Sequence, residues 1–441
     1  MEQLLGSVTI AQAVIKGAEK NIKNVADFGK KIGKYATQNT TDLLSIILFG
    51  AIVLEASDIH IEPQKDMVRL RIRLDGVLQD ATFFEQDIYH NLLSRLKLLS
   101  KLKLNITERP QDGRFTILIP KTRSSEKDTL IEIRTSSLPS EWGEAIVMRI
   151  LNPKNLMELS DLGLRKDSYE ILEQELKKPI GMIVVSGPTG CGKTTTLYAI
   201  LMKIHNPGIK IVTIEDPIEY HLTGVSQTQA VPEKGYSFAK GLMSIVRQDP
   251  DVILVGEIRD SETAKIAVQA ALTGHLVLST LHSNDAAGTI PRLVDLEVDL
   301  SSISPALKTV VSQRLIRKVC KECSILTKPS MEELKEIKAG LRNISKEVEL
   351  PKSLDKIKIA KAKGGGCSAC NFTGHKGRMA IFELFFVDAQ IEKFILTNPS
   401  VSSIKGLLIK RGMITIYQSG LIDVVLGKTT LEEVKRVVET D

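Results

Sequence analysis

Hydrophobic residues follow two different spacings, and the change of spacing separates the two halves of the chain. Apolar and charged residues alternate over residues 68–74, and residues 114–119 and 129–135 alternate in a similar way. This period of two predicts half-buried strands paired as antiparallel hairpins. Asp75-Gly76 follows the first run and is a common hairpin turn. We therefore expect a domain with a large strand content that ends near residue 150.

Helical spacing predicts further elements in this first half. We expect one helix over residues 41–56, capped by Thr41 or Asp42, and a second helix over residues 89–104. Before residue 40, lysines recur at near-helical spacing between apolar residues. This pattern indicates either an ordinary solvated helix pair or a basic amphipathic helix that lies on an acidic membrane surface or docks on a partner.

Short and nearly continuous apolar runs alternate with helical patterns in the second half. The clearest runs are residues 182–185, 210–214, 252–255 and 276–280. Buried strands that alternate with helices predict a parallel sheet covered on both faces. The expected fold class is α/β, with a smaller α+β domain in front of it.

Domain boundaries are expected where the pattern changes and where turn residues cluster. Asn152-Pro153 and Asp161-Leu162-Gly163 mark a linker between the halves. The expected division is a basic helical segment 1–40, the α+β domain 41–150, the linker 151–164, the α/β core 165–318, a cysteine-bearing module 319–372 and a helical C-terminal region 373–441.

Composition excludes several classes of protein. The 441 residues are 43% hydrophobic and 25% charged, which is ordinary for a globular protein and excludes extended disorder or a disulfide-dense scaffold. The net charge of +6 is mild, and the aromatic content of 4% argues weakly against surfaces for base stacking. The first residues lack the pattern of a signal peptide, and the apolar stretch 43–54 is too short to span a bilayer. We expect a cytosolic protein.

Residues 187–194 match the phosphate-binding loop pattern GxxxxGK[ST] in full, between a predicted strand and a predicted helix. Backbone amides of the loop would surround the phosphates of ATP, and the helix N-terminus adds positive potential. Lys193 is expected to reach the β- and γ-phosphates, and the Thr194 hydroxyl is expected to ligate Mg²⁺. The predicted ATP-binding residues are Gly187, Pro188, Thr189, Gly190, Cys191, Gly192, Lys193, Thr194 and Thr195.

Acidic residues follow two of the apolar strands. Glu257 comes after Gly256, which occupies the place of the usual aspartate at the end of a Walker B strand. We expect Glu257 to polarise the attacking water. Glu215, Asp216 and Glu219 follow another strand, and Glu215 is a second catalytic candidate, for positioning Mg²⁺ or water, while Glu219 can equally be an ordinary surface residue.

Two histidines bracket the apolar run 276–280. His275 and His282 are each a candidate for sensing phosphate, although a lone histidine is more often structural. His275 is included among the expected catalytic residues.

Four of the five cysteines form two CxxC pairs, Cys320 with Cys323 and Cys367 with Cys370. Four thiolates in two such pairs suit a tetrahedral Zn²⁺ site, and the metal would stabilise a region with a small core. A redox function fits less well, because it needs one pair in a thioredoxin-like context. Coincidence or disulfides are the remaining alternatives.

Taken together, these motifs resemble those of bacterial ATPases of type II secretion and type IV pilus assembly. The phosphate loop and residues 214–219, 248–260 and 272–286 are similar to the Walker A, Asp, Walker B and His boxes of that family. The resemblance covers roughly residues 40–440. It also includes stretches 56–63, 73–76, 111–114 and 143–149 upstream, and the cysteine pairs and residues 427–430 downstream.

The resemblance implies a PAS-like α+β domain before a RecA-like P-loop domain, and a hexameric ring that uses ATP, Mg²⁺ and Zn²⁺. Arginines from the α+β domain and from a neighbouring subunit would close on the phosphates; the matching positions are Arg114 and Arg134, with Arg149 a weaker match. It also implies that Glu257 is the catalytic carboxylate and that the tetracysteine module marks assembly or secretion motors rather than retraction motors.

The expected function is a motor ATPase that works with an inner-membrane platform protein, with no nucleic acid as partner. Larger members of the family carry a longer N-terminal domain that docks on the membrane partner, and we expect the basic stretch before residue 40 to be a reduced substitute. Two alternatives remain, a P-loop DNA translocase, which the positive charge permits, and a nucleotide-regulated scaffold, which the missing Walker B aspartate permits.

Overall fold

The computed structural model describes residues 6–36, 39–121, 128–342, 344, 348, 350, 351 and 353–438. The chain forms two compact units. We call the first the amino-terminal unit; it contains the residues up to Asn155 together with Cys320–Cys323 and Lys363–Lys376. The second, the P-loop unit, contains Leu156–Val319, Ser324–Ala362 and the chain from Gly377 onward. The division after Asn155 falls inside the stretch 151–164.

The amino-terminal unit is a seven-stranded sheet with four helices. The elements are β1 (Ser7–Thr9), α1 (Gln12–Asn21), α2 (Val25–Ala36), α3 (Thr40–Val53), β2 (Asp58–Pro63), β3 (Val68–Leu74), β4 (Val77–Phe84), α4 (Gln86–Leu99), β5 (Gln111–Ile119), β6 (Thr129–Ser140) and β7 (Gly143–Leu151). The strand order is β1-β5-β6-β7-β2-β3-β4. β1 pairs with β5 in parallel, and the other neighbours are antiparallel.

The alternating residues form strands as predicted, because one face of this sheet is covered by the helices and the other is polar. In β3 every second residue is buried, and its arginines lie on the opposite face. β3 and β4 form the predicted hairpin, and β5 and β6 form the second. The connection between β5 and β6 lies largely outside the described residues.

The helix predicted from residue 41 is present, but its cap is different. α3 begins at Thr40, and the side chain of Asn39 accepts a hydrogen bond of 2.7 Å from the amide of Asp42. Asn39 has extended backbone, which is the geometry of an N-cap, so neither Thr41 nor Asp42 caps the helix. α4 ends at Leu99, five residues before the predicted end.

The basic segment before residue 40 forms a helix pair, α1 and α2, whose apolar residues belong to the core of the amino-terminal unit. Val14, Ile15, Phe28 and Ile32 are buried in one cluster with the apolar residues of α3 and the sheet. This apolar face is therefore not available to insert into a membrane, and the exposed face carries lysines. Within the described residues, no helix is both long and apolar enough to cross a bilayer.

The P-loop unit contains a second seven-stranded sheet, of order β10-β9-β11-β12-β8-β13-β16. Its elements are α5 (Lys166–Glu175), β8 (Gly181–Ser186), α6 (Lys193–Ile204), β9 (Ile211–Glu215), β10 (Ser226–Gln229), α7 (Phe238–Val246), β11 (Val252–Val255), α8 (Ser261–Leu272), β12 (Leu276–Leu281), α9 (Thr289–Asp295), α10 (Leu300–Ala306), β13 (Leu307–Val319), β14 (Ile325–Thr327), α11 (Met331–Gly340), β15 (Ile359–Lys361), β16 (His375–Phe386), α12 (Ala389–Ile395), α13 (Val401–Lys410), α14 (Ile416–Val425) and α15 (Leu431–Val437).

The four predicted apolar runs are the central strands of this sheet, and their pairing is parallel as expected. Side chains along β8 alternate between two cores. Met182 and Val184 pack with the cluster that contains α7 and α8, and Ile183 and Val185 pack with the cluster that contains α5 and α6. Burial on both faces explains why the strands are continuously apolar. The α/β fold class is confirmed.

Two regions differ from the predicted division. The C-terminal region is helical from Ala389, but it begins with strand β16 at the edge of the sheet, where Ile381 and Phe382 are buried. The stretch 319–372 is not one module, because the cysteines belong to the amino-terminal unit and α11, β14 and β15 belong to the P-loop unit. Ile337 and Ile359 pack there with α14 and α15, so this part has an apolar core of its own.

A buried ion pair joins α4 to β7 in the amino-terminal unit. Lys97 and Glu144 are 2% and 5% exposed, and the amine of Lys97 lies 2.7 Å from a carboxylate oxygen of Glu144. The same amine donates to the carbonyl of Ile106 at 2.7 Å, and Tyr89 donates to the carbonyl of Glu144. A buried pair needs such additional hydrogen bonds to offset its desolvation.

We expect Lys97→Met to lower the free energy of unfolding of the amino-terminal unit by about 3–5 kcal/mol, because Glu144 would remain buried and unpaired. Adding Glu144→Gln should recover most of this loss. Trp142 is the single tryptophan of the chain and lies in this unit, so its fluorescence during urea denaturation reports the transition.

Asp80→Asn is the matched control, because the pair of Asp80 with Arg69 lies in the same unit but is partly exposed. Its effect should stay within about 1 kcal/mol. An equally small effect of Lys97→Met would contradict the structural importance of the buried pair.

Candidate nucleotide site and cysteine cluster

The phosphate loop follows β8 at its carboxyl end and leads into α6, as the sequence predicted. Gly187, Gly190 and Gly192 have φ angles of +143°, +79° and +92°, which favour glycine. A Cβ on Gly187 would lie 2.7 Å from both the sulfur of Cys191 and the carbonyl oxygen of Gln313. The loop therefore requires glycine at its first position for space as well as for conformation. Pro188, Thr189 and Gly190 are exposed, as residues that meet a ligand would be.

Lys193 is the first residue of α6, and its amine donates to the carbonyls of Gly187 and Pro188 at 2.8 and 3.0 Å. Burial lowers the pKa of Lys193, and the negative charge of Glu257 opposes this shift. Thr194 and Thr195 follow it in the first turn and are half-buried. The loop thus presents a cation and two hydroxyl groups at a helix N-terminus, where anions bind favourably.

Gln313 is a residue of this site that the sequence did not reveal. It lies on β13, is buried, and donates from its amide nitrogen to the carbonyl of Cys191 at 2.6 Å. Its amide oxygen accepts from the hydroxyl of Thr196 at 2.7 Å. One side chain therefore joins the phosphate loop to α6. Gln313 could be identified only from its position on the strand next to β8, which is a property of the fold rather than of a local motif.

Glu257 lies just beyond the carboxyl end of β11. One of its carboxylate oxygens is 2.6 Å from Nε of Arg259 and 3.7 Å from Nε2 of His282. The hydroxyl of Thr280 donates to the carbonyl of Gly256 at 2.8 Å, which fixes the end of β12 against this turn. The predicted water-activating residue is thus paired with a histidine and an arginine.

His282, rather than His275, lies at this edge of the sheet. β12 is parallel to β8, and Leu276 is opposite Gly181 while Leu281 is opposite Ser186. His275 precedes the strand and His282 follows it, so they lie at opposite edges, about 20 Å apart for a strand of this length. His275 is therefore not next to Glu257, and its Nδ1 contacts the carbonyl of Ala270 at 3.0 Å, so a catalytic role for His275 stays a prediction.

The state of His282 follows from its surroundings. Burial lowers the pKa of His282, and the positive charges of Lys193 and Arg259 lower it further, while Glu257 raises it. His282 is therefore neutral at pH 7, so its ring can both donate and accept a hydrogen bond.

Glu215 has a different environment from the one expected of a catalytic carboxylate. It is buried, and it accepts hydrogen bonds from Thr213 at 2.6 Å, from Gln227 at 3.1 Å and from the hydroxyl of Tyr198. Burial raises the pKa of Tyr198, and the charge of Glu215 raises it further, so the phenol remains a donor. These donors give Glu215 a structural role in the described conformation, and direct catalysis by it stays a prediction. Asp216 is exposed, and Glu219 is half-buried.

The predicted arginines form a row across the polar face of the amino-terminal sheet. Strand register places Arg114 opposite Arg134, Arg134 opposite Arg149, Arg149 opposite Asp58 and Asp58 opposite Arg73. Asp58 lies 3.0 Å from Arg149 and 3.4 Å from Arg73.

Glu132 lies 3.9 Å from both Arg114 and Arg134. The side chain of Arg114 is nevertheless 71% exposed and that of Arg149 is 61% exposed, so both guanidinium groups remain accessible. The row is a cationic surface suited to a polyanion.

The four paired cysteines come together as the sequence predicted. Their sulfur atoms lie within 4.8 Å of one another, and all four are free thiols. The distances from Cys320 to Cys367, Cys323 to Cys370 and Cys367 to Cys370 are 3.8, 3.9 and 3.8 Å. Sulfurs at the corners of a tetrahedron around Zn²⁺ lie about 3.8 Å apart, whereas disulfide sulfurs lie about 2 Å apart.

Backbone groups support a thiolate in this cluster. The amides of Cys367 and Gly374 donate to the sulfur of Cys370 at 3.1 and 3.2 Å. Burial raises the pKa of Cys370, but these amides, together with the thiols of Cys367 and Cys323, more than offset it and bring the pKa to about 7. The donor set fits Zn²⁺, which Cys320, Cys323, Cys367 and Cys370 would hold.

The cysteine cluster also contacts the basic helix pair. The side-chain oxygen of Asn371 accepts a hydrogen bond of 2.7 Å from the amide of Val25, the first residue of α2. Asn371 directly follows Cys370 and has a φ of +49°, a conformation that asparagine tolerates. The cluster thus supplies a partner for one of the amides that a helix N-terminus leaves unsatisfied.

A phosphate loop, with a glutamate and a histidine at the ends of adjacent parallel strands, defines the active site of a P-loop ATPase. The family model of the type II/IV secretion system protein matches residues 36–436. The chain is 39% identical over 436 residues to the type IV pilus assembly ATPase PilB of Thermus thermophilus, covering 98% of this chain and 46% of that protein. The chain therefore belongs to the type II/IV secretion system protein family, and it is an ATP-hydrolysing enzyme.

Further comparisons agree with this assignment. The chain is 39% identical over 401 residues to the type II secretion system protein E of Aeromonas hydrophila, covering 90% of this chain and 75% of that protein. Among solved structures, the pilus retraction motor PilT with bound ADP is 27% identical with a TM-score of 0.57, over 88% of this chain and 95% of that chain. The ATPase DotB of Legionella pneumophila shares the fold, with a TM-score of 0.63 at 20% identity, over 91% and 96% of the two chains.

We expect His282→Ala to lower ATP turnover by about tenfold to a hundredfold, because the partner of Glu257 is lost. His275→Ala is the matched control and should change turnover by less than about twofold, since His275 lies at the opposite edge of the sheet. If protonation of His282 impairs the reaction, the acid limb of the wild-type kcat lies below the ordinary histidine pKa of 6.5, because its pKa is lowered. Greater sensitivity to His275→Ala would contradict this assignment.

We expect one zinc per chain by elemental analysis, and removal of zinc with a chelator should increase hydrogen exchange in the first turn of α2 as well as in the cluster. The cap on Val25 depends on Asn371, whose backbone follows a zinc ligand. Asn371→Ala should raise exchange at Val25 while the zinc content stays unchanged. Unchanged exchange at Val25 in both experiments would show that the cluster does not stabilise α2.

Proposed function

We propose that this chain is the motor ATPase of a type II secretion or type IV pilus assembly machine, acting as a hexamer at the cytoplasmic face of the inner membrane. The proposal is supported by relatives of both kinds, each 39% identical to this chain. The chain spans 46% of the length of the Thermus relative, so the activity and partners of that whole protein are assigned to this chain only as part of this proposal.

The proposed chemistry assigns one task to each residue of the site. The loop amides and Lys193 bind the phosphates of ATP, and the hydroxyl of Thr194 ligates Mg²⁺, which neutralises charge on the β- and γ-phosphates when bound. Glu257 accepts a proton from the attacking water or orients it. His282 holds the carboxylate of Glu257 in place. Glu257 replaces the missing Walker B aspartate in function.

The observation that carries the motor proposal is the arginine row of the amino-terminal unit. Like charges opposite one another destabilise a sheet, and the side chains of Arg114 and Arg149 are 71% and 61% exposed although they lie beside Glu132 and Asp58. A surface of this kind is stabilised by an anion. We propose that Arg114 and Arg134, with Arg149, close on the phosphates of a nucleotide held by this chain or by a neighbouring chain of the ring.

Closure of such a surface on ATP, and its release after hydrolysis, would change the arrangement of the two units and do mechanical work. The proposed recipient of this work is an inner-membrane platform protein. The exposed lysines of α1 and α2 offer a surface for acidic lipids or an acidic partner, by adsorption rather than insertion. The cysteine cluster, with zinc, would stabilise the same helix pair.

A DNA translocase is the second candidate, because a row of arginines also fits the phosphates of a DNA backbone. A scaffold with little turnover is the third, since the Walker B aspartate is replaced. The proposed experiment separates these candidates.

We expect the purified chain to hydrolyse ATP with Mg²⁺. The rate of ATP turnover should be unaffected by duplex DNA and should change when vesicles of anionic lipid are added. Arg134→Gln should lower kcat by about a hundredfold, since a donor to transition-state charge is lost. Glu257→Gln should lower turnover by a similar factor but retain binding of a fluorescent ADP analogue. Lys193→Ala is the blank.

Arg69→Gln is the matched control, because Arg69 lies on the same sheet outside the row and pairs with Asp80 at 2.8 Å. Strong stimulation by DNA would replace the motor proposal with the translocase. Turnover that is absent under all conditions, with nucleotide binding intact in Glu257→Gln and wild type alike, would favour the scaffold. Equal effects of Arg134→Gln and Arg69→Gln would remove the arginine row from the mechanism.

A further inference from the structure

The segment between β12 and α9 carries His282 and is irregular in conformation. We call residues 282–287 the His282 loop. Its own residues give it some order, because the hydroxyl of Ser283 donates to the carbonyl of Asp285, and a carboxylate oxygen of Asp285 accepts from the amide of Gly288. These local bonds shape the loop but do not fix it relative to Glu257. Residues from elsewhere in the P-loop unit must do so.

Arg314 is the first of these residues. It lies on β13 directly after Gln313, and its guanidinium donates to the carbonyl of Gln313 at 3.0 Å and to the carbonyl of Asn284. A Cβ on Gly187 would lie 3.2 Å from Nη1 of Arg314, so the guanidinium packs against the start of the phosphate loop. One side chain therefore contacts the phosphate loop and the His282 loop together.

Glu383 is the second residue. It lies on β16 and is 1% exposed, and its Oε1 accepts a hydrogen bond of 2.8 Å from the amide of Ala286 in the His282 loop. Its Oε2 accepts a hydrogen bond of 3.1 Å from the amide of Ile416, the first residue of α14. Burial raises the pKa of Glu383, so placing a carboxyl group here is costly. Two backbone partners on two elements explain how it is accommodated.

Both residues line one cleft in the P-loop unit. The cleft has a volume of about 730 Å³, and His282 and Asp285 also line it. Lys405 of α13 lies 3.7 Å from the carboxylate of Asp285 across this cleft. The His282 loop therefore has polar contacts on one side with Arg314, which packs against the phosphate loop, and on the other with Lys405 of α13.

We propose that Arg314 and Glu383 are positioning residues for hydrolysis: they hold the His282 loop by its backbone so that His282 stays against Glu257, and Glu383 links that loop to α14. The inference rests on the proposed function, because it assigns a path by which the hydrolysis site acts on another part of the motor. Neither residue touches the reacting atoms. Their effect is on the position of His282.

The two carboxylate oxygens of Glu383 are held at a fixed separation by covalent bonds. The positions of the amides of Ala286 and Ile416, which bind these two oxygens, are therefore coupled. If the His282 loop shifts when nucleotide binds or leaves, Glu383 must move with Ala286 or lose that bond, and movement of Glu383 disturbs the amide of Ile416. The first turn of α14 therefore responds to the state of the nucleotide. Conversely, a displacement of about 1 Å at His282 can lower turnover by as much as a hundredfold.

The test compares two conservative variants with two controls from the same cleft. Glu383→Gln keeps the size of the side chain but replaces one acceptor oxygen by a donor, and Arg314→Lys keeps the charge but loses the planar fork. Asp295→Asn and Arg292→Lys are the controls, since both residues line the cleft. For each protein we would measure thermal unfolding, kcat and KM for ATP, the Kd of a fluorescent ADP analogue, and hydrogen exchange of the amides of residues 284–287 and 416–418 with and without ADP.

We expect Glu383→Gln to lower kcat by about tenfold and to change the Kd of the ADP analogue by less than about threefold, because the phosphate loop is intact. Exchange should rise at Ala286 or Ile416, or at both, because glutamine keeps one acceptor oxygen for the two amides. Arg314→Lys should lower kcat by a similar factor and raise exchange in the His282 loop, and the controls should resemble the wild type. Addition of ADP should change exchange at Ile416 in the wild type and not in Glu383→Gln.

Several results would overturn the inference. An unchanged kcat despite lost protection at Ala286 would make both residues merely structural, and an equal loss of ADP affinity and kcat would make them nucleotide-binding residues. If the wild type does not turn over ATP, the proposed function fails, but the exchange measurements still decide the link from Glu383 to α14. If Glu383→Gln does not fold, Arg314→Lys tests the positioning of the loop, and the failure of exchange at Ile416 to respond to ADP in the wild type would reject the link.

Discussion

The hydrogen-bond register between parallel strands is the constraint on which the active site depends. β8, β11 and β12 are aligned so that Ser186 lies opposite Leu281 and Val255 lies opposite Ser279. Each strand therefore ends at the same edge of the sheet, and site residues follow each end: Gly187 directly after β8, His282 directly after β12 and Glu257 two residues after β11. A shift of register by one residue would turn each side chain to the opposite core and move the site residues relative to the phosphate loop. The packing of these strands in the cores on both faces opposes such a shift and so holds the catalytic groups in place.

The two units differ in the charged groups that they present. The P-loop unit gathers backbone amides and Lys193 around the place for phosphate, with the carboxylate of Glu257 nearby. The amino-terminal unit aligns arginines on one sheet face, where Arg134 lies between Arg114 and Arg149. In the proposed mechanism the arginines supply the cations that phosphoryl transfer requires beyond Lys193. Hydrolysis by that mechanism depends on the association of such a surface with a bound nucleotide.

Local patterns predicted what local physics determines. Alternation predicted β3 and its hairpin, because a strand buried on one face has apolar residues at every second position. Continuous apolar runs predicted the parallel strands, because a strand buried on both faces is apolar throughout. The sequence could not separate His275 from His282, because strand direction decides which end of β12 lies beside the phosphate loop. Gln313 and Glu383 were missed because their partners Cys191 and Ala286 are more than 90 residues away in the chain, and no motif records these pairs.

The bond between Asn371 and Val25 has a consequence for the order in which the chain acquires its structure during synthesis. The donor and the acceptor are 346 residues apart. At about 5–20 residues per second, a ribosome needs roughly 20–70 s to make the intervening chain. Throughout that time α2 can pack its apolar face but lacks the partner of its first amide. The amino-terminal unit is therefore finished only after most of the P-loop unit has been translated, but before its C-terminal helices.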